Sequence, residues 1–533
     1  MSQASSDFRN RVRANKTVWA AGAYDAMSAK MIEAAGFDAL LTSGFGVAAS
    51  FSNLWYCFLG ALIGTLIGVL PGIGPIATMA MLLPLTYYLQ PTEALIMLAG
   101  IYYGAQYGGS TTAILVNMPG ETSSVITCLD GYQMARQGRA GAALTIAALG
   151  SFFAGCVGTL TLAAFAPILA AFSEKFTSVE YFSLMVLGLL SAVVMAQGSL
   201  LKAVAMIFVG LLFGLCGTDV NSGTARYTFG VSELFDGIGF LPLVMGLFGI
   251  NEVMRNVEKP QQREALTSPI RNLWLTRDDF RAAWPAVLRG TGLGSLLGIL
   301  PGGGVVLASF ASYTFEKKLA REPSRFGRGA IEGVAGPESA NNAAAQTSFI
   351  PLLTLGLPSN VVMALMMGAM IIQGIAPGAA VMDKRPDLFW GMVASMWIGN
   401  LMLVIINLPL IGIWVRLLKV PYRLLFPCIV VFSLIGIYTV NNSTTDVVLT
   451  ALFALFGFLL VKFGLEPAPL VLGFILGPLM EENLRRSLVL SRGDPMIFVT
   501  RPLSLTLLMM AVAVVLLIAL PQFRKTRESA FQE

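Results

Sequence analysis

Apolar stretches long enough to enter or cross a bilayer follow one another from about residue 54 to residue 520, with short polar gaps between them. Inside a bilayer every backbone N–H and C=O must find its partner within the chain, which leaves helices or a closed barrel. The alternating pattern of a membrane barrel is absent. The sequence predicts an all-α polytopic membrane protein with about 10–13 membrane segments. Candidates lie near 54–70, 73–90, 94–116, 145–172, 181–197, 201–218, 238–250, 286–313, 348–379, 388–416, 424–440, 446–462, 468–480 and 503–520.

The composition narrows the chemistry. There is no histidine, which excludes histidine metal sites, histidine bases and Ser-His triads. The five cysteines lie far apart, mostly in apolar runs, with neither metal-ligand spacing nor a disulfide pattern. The net charge of +5 suits basic cytoplasmic loops and gives no sign of nucleic-acid binding.

Two apolar stretches carry the same break. Gly60, Gly64, Gly68, Leu70, Pro71, Gly72 and Gly74 correspond to Gly290, Gly294, Gly298, Leu300, Pro301, Gly302 and Gly304, at a constant offset of 230 (Gly60 to Gly290). Glycines four apart line one helix face and let another helix approach closely. The proline then ends the helix and the glycines free the backbone. A polar run follows each break: "YGGSTTAILVNMPGE" (107–121) in the first half and "GPESANNAAAQTSFIPLLTLGLPSN" (336–360) in the second. Both end at a proline, Pro119 and Pro358. Glycine-ribbed helix, break, polar run and second break, written twice, is the pattern of a transporter with internal repeats and discontinuous helices.

Charge indicates how the second break folds. Six basic residues from Arg255 to Arg281 and five from Lys317 to Arg328 place both flanking loops in the cytoplasm. The segment between them must then enter and leave on one side. Gly290 to Leu300 makes about 16 Å of helix, half a bilayer. Residues 286–313 are therefore expected to form a re-entrant hairpin tipped by Pro301, Gly302, Gly303 and Gly304. Residues 54–90 form its sister, tipped by Pro71, Gly72 and Gly74, with arms long enough to span. Free N–H groups at such tips suit carboxylates, and free carbonyls with Ser, Thr and Asn oxygens suit a sodium ion.

The candidate substrate- or ion-binding residues are thus the tip residues together with Gly109, Ser110, Thr111, Thr112, Asn117, Pro119, Gly120, Glu338, Ser339, Asn341, Asn342, Pro358, Ser359 and Asn360. The hydroxyl and amide groups of Ser110, Thr111, Thr112 and Asn117 serve equally well to bind ligand or to bond neighbouring helices. Glu338 stands among small apolar residues, where an unpartnered acid is expensive, and points to function. Glu121 and Asp130 read as loop residues near the surface, and Arg136 and Arg139 as topology determinants.

At these residues the chain resembles the large membrane subunit of the tripartite tricarboxylate transporter family. The resemblance runs over about 53–522, through "GVLPGIGP", "YGGSTTAILVNMPGE", "FGVSELFDGIGFLPLVMGLFGI", "LPGGG", "GPESANNAAAQTSFIPLLTLGLPSN" and "KFGLEPAPLVLGFILGPLMEENLRRSL". It implies ion-driven uptake (symport) of citrate-like tricarboxylates or other carboxylates across the bacterial inner membrane. It also implies a periplasmic solute-binding protein and a small membrane subunit as partners, sodium or protons as coupling cation, and no cofactor or catalysis. An uncoupled channel or a membrane scaffold is the alternative.

The first fifty residues differ. "AAGAYDAMSAKMIEAAGFDALLTSG" (20–44) is soluble in character, with "FDALLTSG" reading as a short strand. It resembles the start of the isocitrate lyase and phosphoenolpyruvate mutase family, in which Ser43 and Gly44 would belong to a carboxylate site. No metal-binding acidic strand ends or cysteine loop follow, and two strand-helix units cannot close a barrel. A membrane-tethered lyase is the least favoured function. The expected organisation is a truncated lyase-like head over 1–52, a first membrane repeat over 53–250, a basic cytoplasmic linker over 251–285, a second repeat with C-terminal helices over 286–522, and a polar tail over 523–533.

Overall fold

A computed structural model describes residues 20–23, 39–42, 44–70, 74–173, 175–195, 199–219, 222–258, 273–300, 304–417 and 422–519. Helices make up almost all of it. The strands among the described residues are two short pairs: β1 (Ala20–Ala23) lies parallel to β2 (Ala39–Thr42), and Gly217–Thr218 lies antiparallel to Ala225–Arg226. The strand expected at "FDALLTSG" is therefore present, as half of a two-stranded sheet. Ser43 lies outside the described residues. Gly44 opens a short helix, α1 (Gly44–Ala48), whose backbone seats on Trp390, while Phe45 stacks on Trp397. That seat is a helix-packing contact and not a barrel mouth, so Gly44 has no part in a lyase-like carboxylate site.

The first repeat starts with α2 (Phe51–Val69), α3 (Pro75–Thr86) and α4 (Pro91–Val116), followed by a long helix, α5 (Ala140–Ser173). The second starts with α6 (Arg277–Gly298), α7 (Gly304–Leu319) and α8 (Glu332–Thr347). A seven-residue helix, α9 (Phe349–Leu355), leads through a second break into α10 (Val361–Ile372), and α11 (Pro386–Asn407) follows. The expected segment 348–379 is thus two helices. Among the described residues, four helices are long and apolar enough to cross a membrane: α2, α5, α11 and Thr444–Lys462. Five shorter apolar ones include α3 and α10.

The glycine ribs determine the packing of both halves. A Cβ built on Gly60, Gly64 or Gly68 would come within 3.0 Å of the carbonyl oxygens of Met97, Ile101 and Ala105 on α4. Built on Gly290, Gly294 or Gly298 it would meet those of Gly336, Ala340 and Ala344 on α8 in the same way. Each rib therefore lies backbone to backbone on its partner, turn by turn. The match also fixes how the halves correspond beyond the first break. Met97, Ile101 and Ala105 map onto Gly336, Ala340 and Ala344 at an offset of 239 (Met97 to Gly336), nine more than before. The extra residues lie in the connection that carries Pro323–Arg325.

The helices α4 and α8 form the centre. Every residue from Ala94 to Val116 and from Gly333 to Thr347 is buried. Helix α8 is the more telling, because it carries Glu338, Ser339, Asn341, Asn342 and Gln346 and yet exposes none of them. The periphery is the reverse: Leu160, Phe165, Ile168, Phe208, Leu212, Leu452, Met509 and Leu516 all point outward. Apolar side chains facing outward around a polar centre are what lipid, rather than water, demands of a helical protein.

The break pairs differ in their arms. Helices α6 and α7 pack as an antiparallel hairpin, with Gly304 folded back on Leu297 and Gly298. Arg289 on α6 grips the buried Glu316 on α7 through two bonds, Nε to Oε1 at 2.8 Å and Nη2 to Oε2 at 2.5 Å. In the first half α3 turns away from α2 and packs mainly on the π-helical turn Met245–Ile250, α4, α10 and Tyr422–Asn441. The second break is thus a closed hairpin and the first a splayed pair.

Gly64→Leu and Gly294→Leu would each push a side chain into a facing carbonyl. Overpacking of this kind costs about 1–3 kcal/mol or more. Both variants should lower the unfolding temperature in detergent by several degrees. Gly292, whose Cβ would meet nothing within 4 Å, should accept alanine with no measurable change.

Candidate functional site

The second breaks are built alike. In the first, Asn117 closes α4 in the left-handed conformation (φ 56°, ψ 34°); Pro119 and Gly120 follow, and Glu121 opens the next helical turn in extended geometry (φ −149°, ψ 166°). In the second, Gly356 closes α9 left-handed (φ 68°, ψ 28°); Pro358 and Ser359 follow, and Asn360 caps α10 (φ −156°, ψ 176°). The 239 offset carries Asn117 onto Gly356, Pro119 onto Pro358 and Glu121 onto Asn360. The sequence signature of this turn is a left-handed residue, one spacer, a proline, a small residue and a side-chain cap.

The two turns meet across a pseudo-two-fold relation. Asn341 on α8 donates Nδ2 to Glu121 Oε1 at 3.1 Å. Its counterpart on α4, Tyr102, reaches Asn360, the counterpart of Glu121, and also Ser348. Ser359 Oγ donates to the Ser348 carbonyl at 3.1 Å, while Gly120 presses on Gly109 at the matching place in the first half. A side chain on Gly120 would strike Gly68 and Gly109, so this turn requires glycine.

Glu338 stands beside this contact. It is fully buried, and its carboxylate accepts from Ser110 Oγ at 2.5 Å and from Thr127 Oγ1. Ser123 Oγ donates to Glu121 and lies 3.2 Å from Gln106 Oε1. Thr112 Oγ1 donates to Gly109 O at 2.9 Å and also reaches Gly68 O, tying the end of α2 to α4. The result is two carboxylates, Glu121 and Glu338, held by hydroxyl and amide groups with no basic side chain among these bonds.

The sequence candidates divide accordingly. Gly109, Ser110, Thr112, Gly120, Glu338, Asn341, Ser359 and Asn360 come together at the contact. Pro358 is buried in the second turn, whereas Asn117 and Pro119 are exposed and serve the first turn's geometry. Thr111 and Ser339 spend their hydroxyls on carbonyls of their own helices, Tyr107 O and Ala335 O. Asn342 turns instead toward α5, donating to Ser151 Oγ at 2.7 Å. Gly74 stands open before α3, and Gly304 packs on its own hairpin. Pro71, Gly72, Pro301, Gly302 and Gly303 lie outside the described residues. Tyr102, Ser123, Thr127 and Ser348 were not among the candidates. Aligning the halves at 239 rather than 230 past the first break brings Tyr102 opposite Asn341 and exposes that equivalence.

Glu121 and Asp130 are not surface groups. Glu121 is partly buried, and Asp130 is fully buried in the π turn Cys128–Tyr132. Asp130 Oδ1 accepts from the backbone N–H groups of Gly327, Gly329 and Ala330 at 2.9, 2.7 and 2.8 Å. Its Oδ2 accepts from Tyr313 at 2.9 Å. A carboxylate of the first half thus clasps the loop before α8 in the second. Arg139 pairs with Asp279 at the start of α6. Beside the site, a cleft lined by Tyr107, Ser110, Thr111, Ser151 and Asn407 has a free volume of about 10 Å³. That is room for about one water and not for a carboxylate.

A buried polar centre built by two repeated, broken helix pairs inside a lipid-facing shell defines a membrane transporter. Residues 54–472 match the tripartite tricarboxylate transporter TctA family. The chain belongs to that family, the large subunit of tripartite tricarboxylate transporters, which works with a periplasmic binding protein and small membrane subunits. It is 59% identical over 493 residues to an Agrobacterium vitis protein described as "Uncharacterized 52.8 kDa protein in TAR-I ttuC' 3'region", covering 92% of this chain and 98% of that one. A second A. vitis protein, "Uncharacterized protein in TAR-II ttuC' 3'region", is 60% identical over 240 residues, 45% of this chain and 99% of its own. No solved structure matches. Nothing in these matches supports the lyase-like resemblance of the head.

Asp130→Asn tests the clasp. It weakens the acceptor for three N–H groups, and hydrogen bonds to a charged group are worth about 1.5–3 kcal/mol each. The variant should unfold at a lower temperature than wild type and become protease-sensitive between Lys317 and Arg328. Glu322→Gln in the same loop should do neither.

Proposed function

We propose that this chain is the permease subunit of a binding-protein-dependent secondary active transporter in the bacterial inner membrane. It imports tricarboxylates or related carboxylates on a sodium or proton gradient, with a periplasmic solute-binding protein and a small membrane subunit as partners. The observation that carries the reading is the bond from Asn341 to Glu121 across the two halves, with Tyr102 and Asn360 at the equivalent positions. It puts two interrupted helices against each other at the buried centre. Interrupted backbone is tolerated at membrane depth only where it lines a cavity or is covered by protein.

In this reading the substrate enters between the turns at 117–121 and 356–360. The start of α10 offers N–H groups and a positive dipole end to a carboxylate. Glu121 and Glu338 repel an anion unless a cation or a proton neutralises them, and that requirement couples the two fluxes. The ribs that lead to the two first breaks end against the same centre, with Gly68 packed on α4 and Gly298 on α8.

The test is uptake of labelled citrate and smaller di- and tricarboxylates into cells that express the chain with its two partners. Uptake should saturate, require this chain and collapse with the ion gradient. Glu338→Gln should lower it at least tenfold, and Asn360→Ala several-fold, with membrane abundance within twofold of wild type. Uptake that rises linearly with concentration and ignores the gradient would identify an uncoupled channel instead. Transport that proceeds without the chain would leave it a scaffold.

A further inference from the structure

The polar groups of α8 that turn away from the second breaks form a separate cluster against α5 and α11. Gln346 and Asn400 are fully buried, and neither carboxamide has a protein partner for its nitrogen or its oxygen among the described residues. The Asn342 carbonyl oxygen and the Tyr107 hydroxyl are buried and unpartnered as well. Leaving such groups unpaired costs about 1–3 kcal/mol each, so sites of this kind hold a ligand or water.

Their placement follows one face of α5. Ser151 takes the bond from Asn342. One turn on, Gly155 lies under the Asn400 side chain, and Gly158 then lies under Gln346. The glycines make room for both amides. Trp397 Nε1 bonds the Cys156 carbonyl at 3.1 Å and holds α11 in this register. Tyr107 lines the same small cleft as Ser151, and Glu338 sits one turn before Asn342 on α8.

We infer that Asn342, Gln346, Asn400 and Tyr107, with Ser151, form an internal binding site for a monovalent cation, sodium being the best fit. The set supplies five neutral hard oxygens. Divalent ions of this class take carboxylate ligands, and none lies within the set. A proton has no basic group here to bind. A carboxylate has no cationic side chain within the set to pair with. Glu338 supplies the balancing negative charge without coordinating, since Ser110 and Thr127 already hold its oxygens. This inference rests on the transporter reading and names its coupling ion. Binding between α5, α8 and α11 would draw α8, and with it Asn341 and Glu338, into the arrangement that meets the substrate.

The experiment uses the purified full chain in detergent, titrated with sodium chloride against choline chloride at constant ionic strength. Sodium should raise the unfolding temperature by several degrees and bind as ²²Na⁺ with saturation; potassium should do so at least tenfold more weakly. Gln346→Leu, which fills the same space without polar atoms, should melt at or above the wild-type temperature in choline and lose the sodium response. Asn400→Asp, which keeps an oxygen in place, should retain it. Wild-type melting that is the same in sodium and choline, or a sodium response that survives Gln346→Leu, overturns the site. In the uptake assay, carboxylate transport that ignores sodium and follows the proton gradient also overturns it while leaving the transporter reading intact. Saturable ²²Na⁺ binding in a chain that moves no carboxylate supports the site and removes the transporter reading instead.

Discussion

The close approach of α2 to α4, and of α6 to α8, is the constraint from which the rest follows. Lipid gives helices no hydrophobic reason to associate, so packing must come from backbone proximity and hydrogen bonds. Three glycines on each rib put helix backbones into direct contact along three turns. That contact makes α4 and α8 central and removes them from lipid on all sides. Once they are central, they carry polar side chains that a lipid-facing helix could not tolerate. Polar character in α8 is therefore a consequence of the glycines in α6.

The two halves use the same scaffold and different chemistry. Equivalent positions hold Tyr102 and Asn341, Gly109 and Ser348, Gly120 and Ser359, and Glu121 and Asn360. In each pair the shape of the turn is kept while the functional group changes. The first half contributes the carboxylate at its turn, and the second half contributes Glu338, where the first has Ala99. The arms differ too: Arg289 and Glu316 staple α6 to α7, whereas α3 leaves α2 for other helices. A duplicated fold with unlike contents lets each half place its carboxylate differently, the first at its turn and the second on its central helix.

Much of this was legible in the sequence because it is periodic. The G-x-x-x-G spacing, the proline after it and the second proline of each half are local signals, and the structure places a helix end at each. The site was legible only in part. Glu338 stood out because an acid among alanines and glycines has no cheap explanation. Glu121 and Asp130 did not, because a polar loop looks alike whether it is solvated or buried under another loop. Asp130 is buried by residues 327–330 of the other half, a contact no local pattern announces. Tyr102 was hidden by the nine-residue shift in offset, and among so many apolar aromatics it reads as packing. The head showed the opposite difficulty: its strand is present, yet the helix that follows joins the membrane body from Gly44 onward.

The kinds of contact at the centre are sorted in space. Within each pair, α2 with α4 and α6 with α8, the contact is backbone against backbone, and a shift of a fraction of an ångström is resisted by hard atoms. Where α4 meets α8 and the second breaks, it is made by side-chain hydrogen bonds, Ser110 to Glu338 and Asn341 to Glu121 among them. Such bonds are worth only about 0.5–3 kcal/mol net, the upper end for those to a carboxylate, because water or a ligand offers equivalent partners. Parting the ribs would cost contacts that nothing replaces. Parting the breaks exchanges one set of polar partners for another, which is the energetic condition for a polar contact that can open and close again.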